Sequence, residues 1–265
     1  NIDIIHIINC ISGYLFTKSY LKSLKDRLND FDFDAKKIES TEYFNEDDYI
    51  ELQSIGIGCF FQCILIYMIE REEICIIKKP ILNEYEVPKL IERETQNYLQ
   101  LKHPLVPKFY GKTKHNKNII IEFINGKSLM YIEELHLDYD EKIKIIFEII
   151  LTISYLHNNG FVYRDLKPNN IIIDNNKNAV LIDFDRMVLN DEINDEKQRT
   201  IDFNSIFAAP EINYGEVIFE NDIYSIGQII YFIINEKSPS HSKKTKIFEK
   251  NIEFRQIYYR CTSEN

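Results

Sequence analysis

The sequence predicts an α+β fold, and three observations carry that prediction. Tyr49 to Lys78 is a run of short β-rich segments, Asp138 to His157 has a helical apolar period, and Ile171 to Ile182 sets two apolar runs around a cluster of turn formers. At 265 residues the chain has room for one large domain or two modest lobes, each with a core to bury. Its apolar share of 45% and charged share of 28% are those of an ordinary globular protein, which excludes wholesale disorder. The net charge of −10 and pI near 5.2 argue against a general nucleic-acid binder, which needs basic clusters to displace counterions. Five cysteines, with no Cys-x-x-Cys pair, fit thiols in a reducing cytoplasm better than a disulfide framework or a zinc site. No apolar run approaches the ~20 residues that a membrane span needs.

Taken in order, Ile2–Ile11 is apolar but interrupted by Asp3, His6 and Asn9. Tyr14–Leu28 carries Leu15, Leu21, Leu24 and Leu28 near helical spacing, so two short helices are expected in residues 1–48. The acidic stretch Glu42 to Asp48 reads as a linker, and the domain boundary is placed at its end. Tyr49–Ile57, Cys59–Glu70 and Glu73–Lys78 then read as strands, with a hairpin turn at Glu70–Glu73. Between the first two, Gly56 and Gly58 in Ile55-Gly-Ile-Gly-Cys-Phe-Phe-Gln-Cys63 let a backbone turn come close to phosphates, although glycines also serve a plain hairpin. A helix is expected from Val87 to Leu101, and an apolar edge strand from Asn118 to Ile124. In the helix from Asp138 to His157, aspartates start it, Asn158-Asn-Gly160 ends it, and Ile143, Ile146, Phe147, Ile150, Ile153 and Leu156 line one face.

The chemistry gathers between Tyr163 and Asp185. Asp165 can accept a proton, Lys167 can neutralise phosphate, and Asn170 and Asp183 offer hard oxygen ligands for Mg2+. Asn170 comes just before the first strand of the hairpin and Asp183 just after the second, so the turn brings them close enough to share a cation. Solvated turn carboxylates are the plain alternative for any one of these residues. With its Arg-Asp-Leu-Lys-Pro lead-in, however, the stretch resembles the catalytic and metal-binding loops of the eukaryotic protein kinases. The resemblance covers residues 49–265, with its motifs in the family's order, and looks closest to the tyrosine-kinase-like group of Ser/Thr kinases. It implies a bilobal fold: a small β-rich N-lobe (about 49–121) with one main helix, a hinge (about 122–126), and a larger, mainly helical C-lobe (about 127–265). The chain opens on Asn and stops after Arg260-Cys-Thr-Ser-Glu-Asn265, so a preceding segment and the end of the C-lobe are expected to lie beyond it.

The resemblance also implies roles. Gly56, Gly58 and Lys78 would hold the phosphates of ATP, and Glu94 would pair with Lys78, with Glu92 and Glu84 as competitors. Ile55, Cys63, Ile76, Ile121, Glu122, Phe123, Ile124 and Ile172 would complete the cofactor-binding set, Ile121 guarding the back of the pocket and Cys63 standing where a valine usually caps the adenine. Asp165 would be the catalytic base beside Lys167, with Asn170 and Asp183 holding Mg2+. Lys167, two positions after Asp165, favours Ser/Thr hydroxyls of a protein substrate over tyrosine. Phe207-Ala-Ala-Pro-Glu211 is similar to the end of an activation segment. Thr200 and Ser205 are the candidate sites for an upstream kinase, and Arg164 the candidate receiver of that phosphate. Asp222 would cap backbone amides of the catalytic loop. Three positions depart from the family pattern: Tyr163 replaces histidine, Phe61 replaces the third loop glycine, and Asp185 replaces the glycine of Asp-Phe-Gly. Phe61 is expected to stiffen the loop tip, and Asp185 to bring a further carboxylate to the metal. The expected function is a cytoplasmic protein serine/threonine kinase. The alternative is a pseudokinase acting as a nucleotide-binding or scaffolding module, and a small-molecule phosphotransferase is disfavoured by the Ala-Pro-Glu segment.

Overall fold

Strand alternation organises the first of two compact units, which runs to Asn125; the second begins at Gly126. The computed structural model describes residues 41–58, 60–81, 87–115, 118–190, 205–214, 218–239 and 252–262. The helices expected before residue 41, together with Cys59, Glu84 and Thr200, lie outside the described residues.

The first unit contains β1 (Tyr43–Phe44), β2 (Tyr49–Ile57), β3 (Phe61–Met68), β4 (Glu73–Pro80), α1 (Val87–Gln100), β5 (Phe109–Thr113) and β6 (Ile119–Glu122). These strands form one six-stranded sheet in the order β1-β5-β6-β4-β3-β2. All neighbours are antiparallel except β1 and β5. Side chains alternate across the sheet. Ile64, Ile66, Met68, Cys75, Ile77 and Ile120 therefore cluster on one face with Phe44 and Tyr49. Cross-strand pairing puts Cys63, Leu65, Ile76, Lys78 and Ile121 together on the other face.

Two elements differ from the sequence reading. The acidic stretch taken for a linker supplies β1, because Phe44 gains more by entering the core than its acidic neighbours lose at the surface. Backbone bonds from Lys112 N to the Glu42 oxygen and from Lys114 N to the Phe44 oxygen, each 2.9 Å, fix it there. Gly111 permits the approach, since a Cβ at that position would stand 2.3 Å from the Glu42 carbonyl oxygen. The expected edge strand, Asn118–Ile124, is instead interior: β6 lies between β5 and β4, with Ile119 and Ile120 fully buried. Its outer neighbour β5, Phe-Tyr-Gly-Lys-Thr, has too little apolar alternation to announce itself in sequence.

In the second unit come β7 (Gly126–Ser128), α2 (Tyr139–Asn158), β8 (Phe161–Val162), β9 (Ile171–Asp174), β10 (Ala179–Leu181), β11 (Val188–Leu189), α3 (Phe219–Asn235) and α4 (Ile252–Thr262). A capping box starts α2: the Asp138 side chain accepts from Glu141 N at 2.8 Å, and the Glu141 carboxylate accepts from Asp138 N at 3.0 Å. The six apolar residues expected on its inner face are all buried. Strands β10-β9-β7 form a small sheet, and β11 pairs with β8. Where α3 meets α4, a Cβ at Gly227 would come within 2.7 Å of the Cys261 Cβ, so only glycine allows the two helices this close. Burial pushes the Cys261 thiol up to about 12, leaving it protonated and inert. Among the described cysteines, Cys63, Cys75 and Cys261 are not in disulfide bonds. No described helix is long and apolar enough to cross a membrane.

Candidate active site

In the first unit, β4 delivers Lys78 to the sheet face opposite the apolar cluster. Buried Ile91 and Tyr98 turn Glu94 of α1 inward, because residues three or four apart share a helix face. Lys78 Nζ meets Glu94 Oε1 at 2.6 Å, with Lys78 6% and Glu94 0% exposed. Glu92, the competitor, stays more than half exposed at its side chain and pairs with Lys112 at 2.9 Å. Cys63 lies opposite Lys78, and Ile76 opposite Ile121, so all four share one face. In the glycine loop, Gly56 and Gly58 are exposed, as is Ile55, and Gly58 N donates to the Phe61 carbonyl at 2.8 Å, closing the turn. The Phe61 side chain is buried, and its ring lies under the Lys78 amine, 5.1 Å from Nζ to the ring centroid. At the end of β6, Glu122 exchanges backbone and side-chain bonds with Lys108: its N–H donates to Lys108 O at 2.9 Å and its carboxylate accepts from Lys108 N at 3.0 Å. Phe123 and Ile124 follow, half-buried.

In the second unit, the candidate residues sit on a loop held from below by α3. Asp222, fully buried, accepts Tyr163 N at 2.8 Å and Arg164 N at 2.9 Å, the amide-capping role expected of it. Its Oδ2 also lies 2.8 Å from His157 Nε2. Arg164 (φ +71°) and Asp183 (φ +67°) both adopt the left-handed conformation that non-glycine residues seldom take, and such strain persists only where surroundings enforce it. Tyr163 fills the position of the missing histidine. Its hydroxyl donates to the Ile182 carbonyl at 2.5 Å, and its ring meets Phe184 edge-on at 5.6 Å. Burial first, then the charges of Asp165, Asp183 and Asp185, raises the phenol pKa well above its ordinary value, so Tyr163 stays a hydrogen donor. Tyr163 thereby ties the loop to the end of the hairpin.

Asp165 is ringed by donors. Lys167 Nζ contacts its two carboxylate oxygens at 2.9 and 2.7 Å, and Asn170 Nδ2 bonds both its Oδ2 and its carbonyl at 2.9 Å. Arg186 Nε stands 3.9 Å from Oδ2, a contact that no sequence pattern announced. The His157–Asp222 contact and the Phe61 ring over Lys78 were equally unsignalled, since all three join residues whose spacing fits no motif.

The hairpin forms as the turn chemistry dictates. Ile171 pairs with Leu181, and Ile182 N donates to the Asn170 carbonyl at 2.9 Å, so Asn170 and Asp183 flank one end of the ladder. At the other end, Asp174 Oδ1 accepts Asn176 N at 2.8 Å and Asn178 N at 2.7 Å. Lys144 of α2 donates to Asn176 O, Lys177 O and Asn178 Oδ1 at 3.1, 2.9 and 2.8 Å, clamping the turn. Ile172 is half-buried on β9, opposite Val180 and Ser128. Because Asp165 takes up the Asn170 amide nitrogen, the group Asn170 can offer a cation is its oxygen. With the Asp183 carboxylate this makes two hard donors, a set suited to a cation that completes its shell with phosphate and water. Among the described residues no three His, Cys, Asp or Glu side chains gather as a metal cluster. Asp185, which the sequence reading expected to bring a further carboxylate to the metal, is buried, 7% exposed, in the turn after Phe184. Ser205 accepts Phe207 N at 3.3 Å.

The model of the protein kinase domain family matches residues 49–265. A probable serine/threonine-protein kinase of Dictyostelium discoideum is 31% identical over 207 residues, covering 72% of this chain and 34% of the relative. The carbon catabolite-derepressing protein kinase of Saccharomyces cerevisiae is 28% identical over 213 residues, 77% of this chain and 33% of the relative. A serine/threonine-protein kinase of Arabidopsis thaliana is 25% identical over 262 residues, 94% of this chain and 55% of the relative. The chain thus spans about a third of the length of the slime-mould and yeast relatives. A family match that runs from β2 through α4, together with relatives of this kind, gives the assignment: the chain belongs to the eukaryotic protein kinase family, serine/threonine type.

Proposed function

We propose that this chain catalyses transfer of the terminal phosphoryl group of ATP to Ser/Thr hydroxyls of protein substrates. The observation that carries the proposal is the setting of Asp165: a carboxylate held by Lys167 and Asn170, on a loop whose backbone is fixed by Asp222. ATP with Mg2+ supplies the phosphoryl group and the charge neutralisation that makes its transfer feasible. Asp165 accepts the proton of the substrate hydroxyl and orients its oxygen for attack. Lys167 steadies the charge that develops beside it, and the Asn170 and Asp183 oxygens are the assigned metal ligands. Gly56, Gly58 and Lys78 take the phosphates, with Glu94 positioning the amine. Ile55, Cys63, Ile76, Ile121, Glu122, Phe123, Ile124 and Ile172 are assigned to nucleotide binding. Residues 49–265 are taken as the catalytic domain, with the hinge at 122–126. Ser205, and Thr200 outside the described residues, are proposed as sites for an activating kinase. The described thiols, none of them in a disulfide, support a reducing compartment such as the cytoplasm.

The test is label transfer from ATP with magnesium to a generic protein substrate. Asp165→Asn should lower turnover by at least ~100-fold while leaving nucleotide affinity within about twofold. Unchanged turnover would remove Asp165 from its role, and ATP binding without transfer by the unaltered chain would select the pseudokinase alternative.

A further inference from the structure

Phe61 stands where the family pattern has a glycine, and the structure gives its side chain a definite place. By alternation it shares a sheet face with Cys63, which lies directly opposite Lys78. Its own partner across the ladder is Pro80, so β3 fixes the direction in which the ring projects. Phe61 is 6% exposed and the Lys78 side chain 7% exposed, with Nζ 5.1 Å from the ring centroid. An ammonium over a desolvated aromatic face is held by the ring quadrupole. The amine of Lys78 therefore has a carboxylate on one side, Glu94 at 2.6 Å, and an aromatic face on another.

We propose that Phe61 is a gate on Lys78: its ring occupies part of the space around the amine and must swing away before a phosphate oxygen can bond there. The inference rests on the reading that Lys78 takes the phosphates of ATP. A charge-assisted bond needs an oxygen within about 2.9 Å of Nζ, and a lysine whose side chain is 7% exposed and whose amine faces a ring has little open surface to receive one. The loop bond from Gly58 N to the Phe61 carbonyl couples the ring's backbone to the turn carrying both glycines, so ring and loop move together. Opening the gate draws on binding energy from the phosphates and not from the nucleoside. The gate consequently sets how much tighter a nucleotide binds than its nucleoside.

The experiment is calorimetric titration of the full chain with adenosine, ADP and ATP, each with magnesium, for the unaltered protein, Phe61→Gly and Phe61→Ala. Removing the ring should tighten ADP and ATP by roughly threefold to thirtyfold, the range a cation–π contact spans, while adenosine stays within about twofold. Phe61→Ala keeps a Cβ on the first residue of β3 and serves if Phe61→Gly fails to fold. A merely structural Phe61 would move nucleoside and nucleotide together. An unchanged or lower ratio of ATP to adenosine affinity would overturn the gate while leaving the kinase reading intact. If neither adenosine nor ATP binds any of the proteins, the kinase reading falls, and the gate with it.

Discussion

Lys78 in the first unit and Asp165 in the second are both nearly sealed from water, at 6% and 8% exposure, yet their neighbours differ in kind. Lys78 is paired with Glu94 at 2.6 Å, and the Phe61 ring lies against its amine. Asp165 is held by a fan of side-chain donors on a loop whose backbone is anchored separately, through Asp222. The first arrangement depends on direct pairing, because removing Glu94 takes a carboxylate away from a buried ammonium. The second has its position set by one group and its charge balanced by others. Damage to the anchor should therefore displace the carboxylate without unbalancing its charge.

Predictions follow that contrast in order of size. Glu94→Ala leaves the Lys78 ammonium buried without its carboxylate and should cost roughly 3–5 kcal/mol of stability in urea denaturation. A loss under about 1 kcal/mol would mean that the pair is far better hydrated than its burial indicates.

The first unit also buries a titratable group in its neutral form. Burial lowers the His103 pKa to about 4, against an ordinary value of 6.5. Below pH 6.5 the unfolded chain takes up the proton that the folded chain refuses, so this contribution is complete above pH 6.5 and is lost as pH falls towards 4. The span corresponds to about 3 kcal/mol. Denaturation midpoints between pH 7.5 and 4.5 should show this slope, and His103→Gln should remove it whatever its baseline stability.

Asp222→Asn keeps one acceptor oxygen and orphans a buried amide of the Tyr163–Arg164 pair, at a cost of roughly 1–3 kcal/mol. Its signature is turnover that falls more than stability explains, measured well below the melting transition, with ATP affinity unchanged. Equal loss of nucleotide binding would show that the anchor serves more than the loop. The smallest effect belongs to the exposed competitor: Glu92→Gln removes a carboxylate whose side chain is 55% exposed but keeps an oxygen for the buried Lys112 amine, and should shift stability by about 1 kcal/mol or less. A larger penalty would upset the division between the pair with both members sealed and the pair with an exposed carboxylate on the same helix.

Much of this was legible before any coordinates. Apolar period and capping residues gave α2 almost to the residue, and the Asp174–Asn178 turn cluster gave the hairpin that brings Asn170 and Asp183 to one end. The resemblance put Glu94 ahead of Glu92 as the partner of Lys78, and the helix turns Glu94 towards Lys78. Illegible were β1 and β5, where two aromatics among acids and a glycine-broken pentapeptide carry too little pattern.

Local periodicity and residue chemistry, acting over a few neighbours, determined on their own most of the helices and strands and which side chains can carry phosphoryl chemistry. Tertiary structure alone decided which polar groups meet. Asp222 caps amides 58 and 59 positions away, Arg186 comes 3.9 Å from Asp165, and the Phe61 ring finds an amine on the next strand. Such contacts depend on how whole elements pack, and packing is fixed by buried surface summed over the fold, not by the spacing of the residues that happen to touch.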